Sequence, residues 1–209
     1  MVAVMKERPI LFSGAMVRAI LNGRKTMTRR VIKPQPPNSH WECMVKDYSL
    51  TVHTPDPGYV RFQHNIDRNR EWATPMIVCP YGTVGDRLWV RETFAGDDWH
   101  GYVYRATEPD ALPCGDEIIF KKWKPSIFMP REASRILLEI IDIRVERLND
   151  ISESDAENEG IGFLREIPDC DETMSSRELF EVLWESINGS GSWEKNPWVW
   201  VICFKRVER

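Results

Sequence analysis

At 209 residues, 42% hydrophobic and 29% charged, the chain has the make-up of one generous globular domain, or of one domain carrying a large insertion. A net charge of −4 excludes a general polyanion binder and leaves any nucleic-acid contact to a local basic patch. No apolar run approaches the ~20 residues that cross a bilayer, and MVAVMKERPILFSG lacks a signal-peptide core, so a soluble cytoplasmic protein is expected.

FSGAMVRAILNGRK reads as a short amphipathic helix. Ser13 is its N-cap, Met16, Val17, Ile20 and Leu21 recur at helical spacing, and Asn22-Gly23 supplies the stop. TMTRRVIK then has the β-branched pattern of a strand, which places Lys25 in the connecting turn. From 34 to 80 the chain is rich in proline and polar residues, with only short apolar pieces, and is read as an insertion. His40, Cys43, His53, His64 and Cys79 fall there at spacings that fit no tight ligand pair, so no metal is expected. The five cysteines, with Cys114, Cys170 and Cys203, include no CxxC pair and read as reduced thiols.

Regular structure resumes at PYGTVGDRLWVRETF, where a Gly-Asp turn leads into a strand from Leu88 to Thr93, and GYVYRA is a further strand. In RILLEIIDIRVERL, Ile141, Ile143 and Val145 alternate with Asp142, Arg144 and Glu146, and the phase breaks near Ile140 as at a bulge. ISESDAENEGI carries a capping pattern, Ser152 with Asp155, and Gly160 ends that short helix. SSRELFEVLWESING is a second helix with Ser175 and Glu178 as a capping box and Leu179, Leu183, Trp184 and Ile187 as its buried stripe. PWVWVICFKRV is apolar on both faces and reads as a central, covered strand. Strands and helices do not alternate, so the order predicts a mixed α+β barrel over a doubly wound sheet.

Gly23-Arg24-Lys25-Thr26-Met27-Thr28-Arg29-Arg30 resembles the G-x-K-x-x-T signature of the ASCH domain family, a PUA-like β-barrel group. YGTVGDRLWVRETF is similar to that family's G-D-x-L-x-V strand, RVERLNDISESDAENEGI to its strand and acidic helix, and WVWVICFKRV to its closing strand. The likeness covers about half the chain in blocks; residues 34 to 80 and 94 to 135 have no counterpart in the family's small enzymes. It implies one PUA-like domain over 1–209 with flanking short helices and a long loop insertion, and no cofactor. It also implies a nucleoside, nucleotide or RNA partner. Small bacterial members are N4-acetylcytidine amidohydrolases, and longer tryptophan-rich ones occur in phages, where the location would be the host cytoplasm. Their catalytic lysine, threonine and glutamate fall on Lys25, Thr28 and Glu159. Arg24, Arg29 and Arg30 would then contact substrate or phosphate.

The chemistry stands without the family. Amide hydrolysis needs a nucleophile, a base to activate it and an acid for the departing amine. A lysine can deprotonate a threonine hydroxyl only if its pKa falls from about 10.4 toward 7–8, which burial and neighbouring arginines favour. Each residue also has a plain role: Lys25 complementing a helix dipole, Thr28 an ordinary strand residue, Glu159 a solvated helix end. Several of the nine tryptophans, Trp89, Trp193, Trp198 and Trp200 among them, are mostly core, though one at a barrel mouth would stack on a base. A non-catalytic reader of RNA or a modified base is the rival, and a phage accessory protein the third reading.

Overall fold

A computed structural model describes residues 5–36, 41–43, 59–60, 62–64, 77–97, 101–108, 122–166 and 173–208. The architecture is α+β, centred on a five-stranded mixed sheet of order β1-β7-β10-β11-β2. Its members are β1 (Glu7–Leu11), β2 (Met27–Val31), β7 (Arg87–Arg91), β10 (Leu137–Arg147) and β11 (Trp198–Arg206). β1 runs parallel to β7, and every other pairing in the sheet is antiparallel.

The predicted bulge sits where expected, as a register shift between Ile140 and Asp142 opposite β11. Ile141 is the residue left over. It is 48% exposed and does not share the buried face of Ile143 and Val145, which corrects the simple alternation read from the sequence.

Because β11 is apolar on both faces, it joins two cores. Trp200, Ile202 and Phe204 pack with Ile10, Leu88 and Ile140 and with helix α1 (Gly14–Leu21). Val199 and Val201 face the other way, onto Leu179, Phe180 and Trp184 of helix α3 (Ser176–Asn188). Two local devices set the entry of the short helix α2 (Glu153–Asn158) and of α3. Ser152 Oγ accepts from Asp155 N, and Ser175 with Glu178 forms a reciprocal capping box.

The ladders among the described strands do not close into a barrel, since β1 and β2 are the two edges. Arg30 of β2 nevertheless donates from Nη2 to Leu11 O of β1 at 2.8 Å, so a side chain spans the edges. Within 34–80, β3 (Trp41–Cys43) pairs β5 (Phe62–His64) and β4 (Tyr59–Val60) pairs β6 (Ile77–Val78). β8 (Phe94–Asp97) and β9 (Gly101–Tyr104) form a further hairpin. His40, His53, Cys114 and Cys170 lie outside the described residues. Among the described residues no helix is long and apolar enough to cross a membrane.

Candidate functional site

The turn after α1 is what brings Lys25 inward. The amides of Arg24 and Lys25 both donate to Ala19 O, at 2.8 and 3.1 Å, folding the chain back under the helix. Thr26 N then reaches Asn158 O at 2.9 Å, and Lys25 bridges Glu159 in antiparallel fashion. The helix end that carries Glu159 is thus stitched to the start of β2. Gly160 follows with φ +78°, and a Cβ there would lie 2.7 Å from Lys25 Cβ and 2.9 Å from Ala19 Cβ. Only glycine suits both the backbone and the contact.

Lys25 is buried, and its Nζ donates to Met27 O at 2.8 Å, Glu159 O at 2.7 Å and Glu159 Oε2 at 2.8 Å. An ammonium has three protons, and all three are used. Burial pushes the Lys25 amine below its ordinary value, Glu159 opposes that, and Arg30 and Arg29 reinforce it. The ring of Phe12 lies 5.4 Å from Nζ.

Glu159 is one end of a larger network. Arg29, wholly buried, bonds Asp155 at 2.7 Å and Glu146 at 3.1 Å, and approaches Glu159 Oε1 to 3.5 Å. Arg144 completes it, bonding Glu146 at 2.6 Å and Asp155 at 2.7 Å. Three cations (Lys25, Arg29, Arg144) face three carboxylates (Glu146, Asp155, Glu159), so the charge sunk between β2, β10 and α2 is balanced. Glu159 Oε1, however, has no hydrogen-bond partner.

Glu159 borders a cavity of about 70 Å³ beside edge strand β2, walled also by Thr28, Arg29, Arg30 and residues of α3. Thr28 is buried, and its hydroxyl makes no hydrogen bond among the described residues. Ile187 of α3, expected in the core stripe, is 57% exposed and stands at this cavity instead. A second cavity of about 520 Å³ adjoins it, sharing Val31, Trp184 and Asn188 as a common wall.

Of the sequence-predicted residues, Thr28, Arg29, Arg30 and Glu159 meet at the small cavity, with Lys25 fastened to Glu159. Arg24 stands apart, in a surface ion pair with Glu166 at 3.3 Å. Sequence reasoning did not single out Arg144, Glu146 and Asp155 as site residues. For Arg144 and Glu146 the signal was there, in opposite charges alternating along one face of a long apolar strand; Asp155, on α2, carried only its capping pattern. Among the described residues no group of three His, Cys, Asp or Glu side chains is arranged to hold a metal ion.

Comparison with protein-family models, curated proteins and solved structures finds no match to this chain.

Proposed function

We propose that this is an ASCH-type, PUA-like protein that hydrolyses the amide of an N4-acylated cytidine, or of a similar acylated nucleobase, at the Thr28–Glu159 cavity. One observation carries the reading. Glu159, buried, has one oxygen held by Lys25 while its other oxygen lacks a hydrogen-bond partner, and it lines the same cavity as Thr28.

In this reading the Thr28 hydroxyl adds to the acyl carbonyl, and its proton passes to the Lys25–Glu159 pair. The pair returns that proton to the exocyclic amine as the C–N bond breaks. Water then cleaves the acyl-threonine ester, releasing a carboxylic acid and restoring the hydroxyl. Burial, which lowers the Lys25 pKa, favours passing a proton within the pair. The small cavity has room for about two waters, at ~30 Å³ each, which suits an acetyl group and not a nucleobase. The base would lie in the adjoining space, whose 520 Å³ falls within the usual range for ligand pockets. A PUA-like closure of the sheet is supported by the Arg30–Leu11 bond across its edges.

The test is incubation with N4-acetylcytidine, chromatography for cytidine, and Thr28→Val and Glu159→Gln run alongside. Turnover that both variants lose supports the enzyme. No turnover from folded protein removes that substrate.

A second reading has its own observation. All three Lys25 protons are donated to oxygens of Met27 and Glu159, the arrangement of a structural ammonium. The cavity would then hold a modified base or RNA without cleaving it, and Thr28→Val would bind as the wild type does.

A further inference from the structure

We infer that the larger cavity beside the Thr28–Glu159 site is a phosphate subsite, so that the ligand is a phosphorylated nucleoside and not a free one. This rests on the nucleoside reading above for the ligand's other half, and on separate residues for the phosphate.

The wall of the larger cavity is rich in donors and contains no carboxylate. Trp184, 5% exposed, lines both cavities, and its indole Nε1–H finds no acceptor. Ser192 Oγ is likewise buried and without a partner. These two donors are closed off within the wall, so the polar groups that a ligand in the cavity would reach are the cations that line it.

Two cations stand with them. Arg147 stacks 4.5 Å from the Trp198 ring and donates Nη1 to Asn196 O at 3.0 Å, which fixes the plane of its guanidinium. Neither Arg147 nor Lys195 forms an ion pair among the described residues, whereas Arg29 and Arg144 next door are each paired with Glu146 and Asp155. An anion with several acceptor oxygens answers both cations at once, and a phosphate does so with a planar arginine and the flexible stem of a lysine. Its acceptor-bearing neighbour, Glu159, repels such a group, which sets the ligand's direction: acyl end toward Thr28, phosphate toward Arg147.

The phosphate can belong to a mononucleotide or to a nucleic-acid backbone, and titration separates these. The full chain is titrated by tryptophan fluorescence with inorganic phosphate, cytidine, cytidine 5′-monophosphate and a short oligocytidylate, and Arg147→Gln and Lys195→Gln are measured alongside. The expected result is that the monophosphate binds at least about tenfold tighter than cytidine, that inorganic phosphate competes with it, and that both variants remove the difference. A further gain for the oligomer assigns the phosphate to a backbone; equal binding assigns it to a mononucleotide. Equal affinity for cytidine and its monophosphate overturns the subsite and leaves the nucleoside reading standing. Phosphate binding that depends on Arg147 and Lys195, without any binding of cytidine, supports the subsite and removes the nucleoside. Should Arg147→Gln loosen the fold through Trp198, the exposed Lys195→Gln decides alone.

Discussion

Lys25 grips Glu159 twice, through the carboxylate at 2.8 Å and through the main-chain carbonyl at 2.7 Å, across 134 residues of sequence. The side chain of the candidate base is therefore also a fastener between the start of β2 and the end of α2. Lys25→Met should cost about 3–5 kcal/mol in equilibrium denaturation, because Glu159 stays buried without its hydrogen-bonded partner and with only the more distant Arg29, at 3.5 Å, opposite it. Adding Glu159→Leu to that variant should recover much of the loss. A double variant no more stable than the single one would show that the pair is not the source of the cost.

Since Lys25 variants confound chemistry with folding, Thr28 is the cleaner probe. Its hydroxyl makes no hydrogen bond among the described residues, so Thr28→Val should move stability by no more than ~1 kcal/mol. Loss of the nucleophile should lower turnover of N4-acetylcytidine by about a thousandfold or more. Full turnover in this variant would exclude threonine as nucleophile.

Gly160→Ala tests the backbone beneath the site. The substitution meets both a φ of +78° and a contact of 2.7 Å with Lys25 Cβ. It should destabilise by about 2 kcal/mol or more and displace Lys25 from Glu159. A crystal structure of the variant with the Lys25–Glu159 bond unmoved would contradict this.

Alkaline stability should report Cys79. Burial raises its thiol from 9.0 to about 11, so between those values the unfolded chain has released a proton that the folded chain still holds. Stability from this group is complete below pH 9.0 and is lost as pH rises toward 11, by roughly 2–3 kcal/mol in all. Lys25 has the opposite sign: its folded value is lowered, so its contribution improves as pH rises toward 10.5. Comparing wild type with Cys79→Ala cancels the lysine. Denaturation midpoints from about pH 8 to 11 should fall less steeply in the variant, and parallel curves would refute the assignment.

Local signals carried much of the fold. Ser152 and Ser175 mark helix starts because a short hydroxyl side chain satisfies amides three residues on, a requirement met within one turn. The bulge at Ile140 was legible because a phase change in a two-residue period has one local meaning. The two-faced apolar pattern of β11 likewise announced a strand between two covered faces. Lys25, Thr28 and Glu159 were singled out by the resemblance to the ASCH family, not by a local physical signal.

What those residues meet was decided by the tertiary structure alone. Ile187 continues the helical stripe in sequence, yet it is exposed and borders the small cavity. Arg29 looked like a ligand contact, but register sets it in line with Val201 and Arg144, where its Nη2 is bonded to Asp155 and Glu146. Trp184 and Arg147 come from separate elements and share a cavity only after α3 packs on the sheet. A sequence states which side chains lie on one face of an element, since that depends on period. Which charges are neutralised, and which donors are left without an acceptor, depends on the distance between elements, and packing sets that.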